Sequence, residues 1–389
     1  MRIPALLLLA CIAVAAPKRA GYLGARLAAA EGGVQLVEVL PGTPAAKAGL
    51  QSGDVVVRCG DTDVKTPAAL GAVMREAGAG TKLAVVVMRA GEKKTFELTL
   101  GVHPRVLLEE PDTSAGMKGV VAYRDLSYHC GLGLPHERHR LNLFMPKMAE
   151  VVPIVLWIHA GAWSYGDRDN ETALAMRFAE RGIGFAAMNY RLSSKFWNEP
   201  GASKEGFKHP AHAEDCAMAF AWLRAKFPKH PLFVSGHSCG AHLGALLAMD
   251  KRYLGEYGLA LDEIKGVIAI GGGYDLVKYH AILKTGMGEK ADAHLQWIFG
   301  DTKEDWIAAS PTTYLKGCSM PMLIVAEKGE AMRQYTKDFE EAVKAAGVTS
   351  IRFRYTTDRT HGQSKPLMSR KAPDPVRDEM IEFIRARSR

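Results

Sequence analysis

The sequence predicts an α/β protein, a mostly parallel sheet flanked by helices, preceded by a small α+β unit. Three observations predict it. From Val120 onward, apolar strand-like runs alternate with helical stretches, the signature of a parallel sheet. Within that region Pro153 to His159 is a continuous apolar run, as expected of a strand covered on both faces. Upstream of residue 102 the pattern is different: short alternating runs and turn clusters, with two brief helical stretches. The 389 residues exceed one ordinary small domain. They divide into a leader over 1–16, a first unit over 20–101, a linker over 102–119 and a second unit over 120–389.

Composition bounds the function classes. Hydrophobic residues make up 48% and charged residues 24%, enough for a packed core. The formal charge is +8, but Lys and Arg are scattered rather than clustered. No aromatic-plus-basic stripe is present, which argues against a nucleic-acid partner. The six cysteines, Cys11, Cys59, Cys130, Cys216, Cys239 and Cys318, match no zinc or redox spacing, and no disulfide is assigned.

Met1-Arg2 gives one positive charge, and Ile3 to Val14 is a short apolar run ending in small residues, Ala13-Val14-Ala15. This reads as an export signal and places the protein in the periplasm or outside the cell. The run is too short to span a bilayer, which takes ~20 residues. Leu8-Leu9-Ala10-Cys11 resembles a lipobox, so anchoring through Cys11 is the second reading and a buried helix the third.

In the first unit Val34 to Leu40 alternates like a half-buried strand, and Pro41-Gly42-Thr43-Pro44 marks a turn. A short helix over Ala45 to Leu50 follows, then a strand over Val55 to Arg58. Thr66-Pro67 caps a helix over Ala68 to Ala77. Strands over Leu83 to Arg89 and Thr95 to Leu100 flank the turn Ala90-Gly91-Glu92. The phrases Val39-Leu40-Pro41-Gly42-Thr43-Pro44-Ala45, Ala48-Gly49-Leu50 and Gly53-Asp54 make this unit resemble a PDZ domain of the bacterial protease-associated type. The resemblance implies a carboxylate-binding loop at Tyr22, Leu23, Gly24 and Ala25. Its backbone N–H groups would hold a peptide or protein C-terminus while the following strand pairs with it. The alternative is that the unit only positions or stabilises the second one.

In the second unit strands are expected over Val120 to Tyr128, His139 to Phe144, Pro153 to His159, Ile183 to Tyr190, Leu232 to Gly236, Gly266 to Ile270, Pro321 to Ala326 and Ser350 to Tyr355. Helical runs lie between them, including Asp215 to Phe227. Val376, Met380, Phe383 and Ile384 mark one face of a final helix.

Three segments carry chemistry. Gly236-His237-Ser238-Cys239-Gly240 stands between a strand and the helical run Ala241 to Met249. A serine on so tight a strand-to-helix turn projects its hydroxyl from the sheet, and it needs small flanking residues. His159-Ala160-Gly161-Ala162-Trp163 follows an earlier strand. Backbone N–H groups of Gly161, Ala162 and Cys239 are the expected oxyanion donors; losing one such donor typically costs about 3–4 kcal/mol. His159 reads as a loop-ordering residue and Trp163 as wall. Asp358-Arg359-Thr360-His361-Gly362 follows the last strand and presents His361 as the base. The acid must lie between serine and histidine in chain order. Glu330 is the first choice because it lies furthest into the loop after Ala326, Glu327 is the second, and Asp275 is the alternative after an earlier strand.

Together with Arg138 to Leu143, Gly166-Asp167-Arg168, Asn189-Tyr190-Arg191-Leu192, Gly272 to Leu276 and Ser310-Pro311, these segments resemble the α/β-hydrolase carboxylesterases that include kynurenine-formamidase-like and feruloyl-esterase-like enzymes. Relatives usually carry Gly-Glu-x-Asp where this chain has Ala326-Glu327-Lys328-Gly329. The resemblance implies a serine carboxylesterase acting on a small-molecule ester through an acyl-enzyme, with no metal or organic cofactor. An amide- or peptide-hydrolysing enzyme is the alternative. A non-catalytic scaffold recruiting partners through the first unit is the third reading. Leu192 to Pro210 and Leu276 to Ile307 are the insertions expected to set specificity, with Trp197, Phe207, Trp297 and Trp306 as candidate pocket walls.

Overall fold

The computed structural model describes residues 21–39, 43–78, 80–102, 119–129, 136–147, 151–194 and 206–388. The leader over 1–16 with Cys11, residues 103–118 of the linker, Leu40 to Gly42, Cys130 and Trp197 lie outside the described residues. The chain separates into two compact units, Met1–Leu107 and Leu108–Arg389. Among the described residues no helix is long and apolar enough to cross a membrane.

The first unit is an antiparallel sheet in the order Ala25–Ala30, Gly33–Val39, Val55–Cys59, Lys82–Arg89, Glu92–Thr99. The last strand starts at Glu92 rather than Thr95, because Ala90 and Gly91, both at positive φ, complete the turn alone. Alternate residues Val34, Leu36, Val56, Val85, Val87 and Leu98 point into one core with Leu70 of the helix Pro67–Ala77. That helix is capped as expected: Thr66 Oγ1 accepts from Ala69 N at 3.1 Å. Asp54 is buried, and Arg89 meets it with a fork, Nε to Oδ1 at 2.7 Å and Nη2 to Oδ2 at 2.8 Å.

The second unit holds eight strands: β1 (Val120–Ser127), β2 (Arg140–Pro146), β3 (Ile154–Ile158), β4 (Gly184–Met188), β5 (Leu232–His237), β6 (Ile264–Ile270), β7 (Met322–Lys328) and β8 (Ile351–Thr360). They form one sheet in the order β1-β2-β4-β3-β5-β6-β7-β8. Strand β2 runs antiparallel to both neighbours, and every pairing from β4 to β8 is parallel. Successive residues of the central strands feed opposite faces. Leu156, Ile158, Val234 and Val267 pack with the helices α1 (Ala211–Lys226), α2 (Cys239–Met249) and α3 (Glu330–Ala345). Val155, Trp157, Phe233 and Ile268 pack on the other side with Thr172–Ala179 and with Pro375–Arg385, whose Val376, Met380, Phe383 and Ile384 are buried. Both faces are covered, which is why β3 and β4 read as unbroken apolar runs. The parallel strands bring the ends of β3, β5, β6 and β7 to one edge of the sheet.

Candidate active site

Strand β5 ends at His237, and α2 begins two residues later. Ser238 occupies the corner with φ 58° and ψ −122°, a conformation an L-residue adopts only under constraint. Its N–H donates to Ile270 O at 2.8 Å, tying the corner to the end of β6. The flanking glycines are required by space. A Cβ on Gly240 would sit 2.1 Å from Ile158 O, and one on Gly236 2.4 Å from Gly240 O.

The loop after β3 lies against this corner. Gly161, Ala162 and Trp163 take φ of 133°, 49° and 59°, three positive values in a row. Ala160 is not among the positive-φ residues, so alanine is tolerated there. The buried Cys239 thiol is pushed up by desolvation and drawn back by the Tyr190 hydroxyl and the N–H groups of Trp163, Gly240 and Ala162. Amides of the loop and of the helix start therefore face the sulfur of Cys239, the residue after Ser238. The Trp163 amide belongs to this group.

His159 is held as a neutral ring. Its Nδ1 donates to Ala160 O at 2.8 Å, and Nε2 accepts from Arg138 Nη2 at 3.3 Å. Burial pushes its pKa down to about 4. The ring stacks on Tyr190 with centroids 4.3 Å apart, so it orders the loop, as the sequence suggested. Trp163 is buried wall, edge-on to His242 and Phe299.

The structure brings the second-choice carboxylate, not the first, to His361. Glu330 is the exposed first residue of α3. Glu327, the second choice, is fully buried near the end of β7, and its Oε2 accepts from His361 Nδ1 at 2.5 Å. The strand runs on to Lys328, two residues past the expected end at Ala326, so Glu327 stays inside the sheet edge. The position where relatives usually carry Asp is Gly329, at φ 129°. Asp275 is an N-cap: its Oδ1 accepts from Val277 N at 3.1 Å and Lys278 N at 3.0 Å. His361 is not in a loop. Strand β8 continues to Thr360, and His361 opens the helix α4 (His361–Ser369).

His237 takes the other oxygen of Glu327, with Nε2 donating to Oε1 at 2.9 Å. Burial alone would raise the Glu327 carboxyl. The two imidazole donors outweigh it and hold the pKa down at about 2. Gly271 makes room: at φ +60° it passes so close that a Cβ would lie 2.3 Å from Glu327 Oε2 and 2.9 Å from His361 Nδ1. Ser238 is linked to the pair through this residue's neighbour, Ile270. The donor atoms of His237, Glu327 and His361 lie within 4.8 Å of one another and make the cluster best suited, among the described residues, to hold a metal ion. Both carboxylate oxygens already accept from imidazole N–H groups.

Other sequence-marked residues are architectural. Arg191 pairs with fully buried Asp215, Nε to Oδ1 at 2.9 Å, and His139 Nε2 donates to the same oxygen at 3.0 Å. Trp306 is buried and donates to Gly300 O, whereas Phe207 is exposed under the Arg191 guanidinium. In the first unit Leu23 is buried with its carbonyl accepting from Ala45 N, and Gly24 has φ 86°. Tyr22 pairs with Gly101, and Ala25 begins a strand that pairs on one side only among the described residues. That open edge is what addition of a peptide strand needs.

Comparison with known proteins gives the family and the fold. A family model described as BD-FAE matches residues 141–337, just over half of the chain, and a PDZ domain model matches residues 21–100. Kynurenine formamidase of Danio rerio is 22% identical over 58% of this chain and 71% of its own length. The carboxylic ester hydrolase LipN of Mycobacterium tuberculosis is 25% identical over 62% of this chain and 65% of its own. A probable isoprenylcysteine alpha-carbonyl methylesterase of Arabidopsis thaliana is 26% identical, and this chain spans 33% of it. The chain thus covers less than two thirds of the length of several curated relatives. Esterase B of Lactobacillus rhamnosis superposes with a TM-score of 0.55 at 17% identity, over 70% of this chain and 88% of that one. A bacterial heroin esterase does so at 0.54 and 20% identity, over 71% and 87%.

Proposed function

The chain belongs to the BD-FAE family of α/β-hydrolase esterases, and on that premise we propose that it hydrolyses a small carboxylic ester through an acyl-enzyme on Ser238. The observation that carries the reading is the hydrogen bond between His361 Nδ1 and buried Glu327, which also binds His237, the residue before a serine held in a strained corner. Glu327 accepts from Nδ1 and so leaves Nε2 as the basic nitrogen of His361. Nε2 takes the Ser238 proton as Oγ attacks the ester carbonyl. The oxyanion rests on N–H groups of Gly161, Ala162 and Cys239. The C–O bond breaks, and the alcohol leaves with the proton that His361 held. Water then attacks the acyl carbon, giving its proton to His361, and the free acid departs as Ser238 is reprotonated.

The test is Ser238→Ala in the full chain, assayed on a short p-nitrophenyl ester and labelled with a fluorophosphonate. Loss of both turnover and labelling, with the melting curve retained, is the expected result. Turnover unchanged in the variant rejects Ser238 as nucleophile. Wild-type protein that is folded, inert and unlabelled supports the scaffold reading instead. The similarity to kynurenine formamidase favours a second reading, a formyl amide as substrate. The ratio of kcat/KM for an aryl ester and an aryl formamide decides between them. For the first unit we read a peptide or protein C-terminus as ligand, and for residues 1–16 an export signal.

A further inference from the structure

We propose that His237, the residue before the nucleophile, is a positioning residue that aims the Glu327 carboxylate at His361, so that two imidazoles hold the acid of this site. The inference rests on the serine-hydrolase reading above.

His237 sits at the end of β5 and Glu327 near the end of β7, with β6 between them. The bond from His237 Nε2 to Oε1 therefore bridges two strands and fixes the carboxylate on the side away from His361. Among the described residues the ion-pair partners of Glu327 are these two histidines, with no Lys or Arg. A carboxylate at 0% exposure cannot fall back on water if one donor is removed. Gly271 adds no side chain to brace it. Without His237 the group is free to turn about its Cγ–Cδ bond, and Oε2 loses its fixed aim at Nδ1.

The other groups that face the cluster are Lys365, on the same helix as His361, and the buried hydroxyl of Tyr274. Lys365 is paired with Glu171 at 2.9 Å. Neither donates to Glu327.

The experiment compares His237→Gln, His237→Asn and His237→Phe in the full chain on a short p-nitrophenyl ester across the pH range. A Gln amide reaches the place of Nε2, whereas an Asn amide reaches only that of Nδ1. The Asn and Phe variants should lose about 10–100-fold in kcat with KM within about twofold. The Gln variant should recover most of the loss. An Asn variant as active as Gln, or an equal loss in all three, overturns the proposal. If the Phe variant does not fold, the Gln–Asn pair decides. Ser238→Ala run in parallel separates the two readings. Retained turnover there defeats the serine mechanism itself, while a required serine with a flat His237 series defeats only this inference.

Discussion

Arg138 and His159 form a latch across the base of the loop that carries Gly161 and Ala162. The Arg138 Nη2 sits 3.3 Å from His159 Nε2 and donates to Gly166 O at 2.9 Å, while its Nε donates to Tyr190 O at 2.7 Å. One planar fork thus grips both ends of the loop and the strand end beside it. Because His159 Nδ1 donates to Ala160 O, only one tautomer satisfies the ring.

Arg138→Lys keeps the charge and loses the fork. Without it the loop amides drift from the oxyanion position, which matters in the transition state more than in substrate binding. The expected outcome is a fall in kcat of about 10–100-fold with KM within about threefold, below the roughly 100–1000-fold seen on deleting one oxyanion donor outright. Steady-state kinetics on a short aryl ester check this. A change confined to KM contradicts it.

Glu327 and Glu330 are three residues apart and differ completely in setting, one buried against two imidazoles and the other exposed at a helix start. Glu327→Gln should lower kcat by about 10³–10⁴-fold, the usual cost of losing the group that fixes the imidazole tautomer. Glu330→Gln should stay within about twofold. Parallel kcat measurements decide the assignment, and a larger loss in the Glu330 variant would reverse it.

The strands of the second unit, the serine corner and the place of His361 were legible because each has a local signature: apolar runs, tight glycine spacing, and a histidine next to a glycine after the last strand. The acid was not legible in the same way. Choosing the carboxylate deepest in the expected loop assumed that β7 ends at Ala326, and the strand runs two residues further. The signal that was available is physical. A carboxylate directly continuing a fully buried strand must find N–H partners inside the protein, and His237 and His361 are the nearby candidates. Arg138 and Gly271 were quoted or passed over without a role, since their partners come from loops distant in sequence. Trp163 was read correctly as wall, but its left-handed backbone is not something composition reveals.

The last prediction concerns stability rather than turnover. Burial pushes His159, His209 and His294 down to about 4, and His212 and His242 down to about 3. His242 and His209 pack on Phe299, and His242 and His294 on Trp163. All five are neutral in the fold and titrate near 6.5 once unfolded. A base whose folded pKa is depressed binds its proton in the unfolded chain first. Stability is therefore fully present above about pH 6.5 and is lost as pH falls from there toward the folded values. Each such imidazole contributes a slope of about 1.4 kcal/mol per pH unit around pH 5. Urea unfolding of the second unit's transition at a series of pH values should give a steep fall in stability between pH 6.5 and 4. His242→Gln should reduce that slope by about one proton's worth, since the Gln amide can still donate to Ala309 O as Nε2 does at 2.8 Å. A flat profile over this interval would mean that the buried histidines are not held neutral.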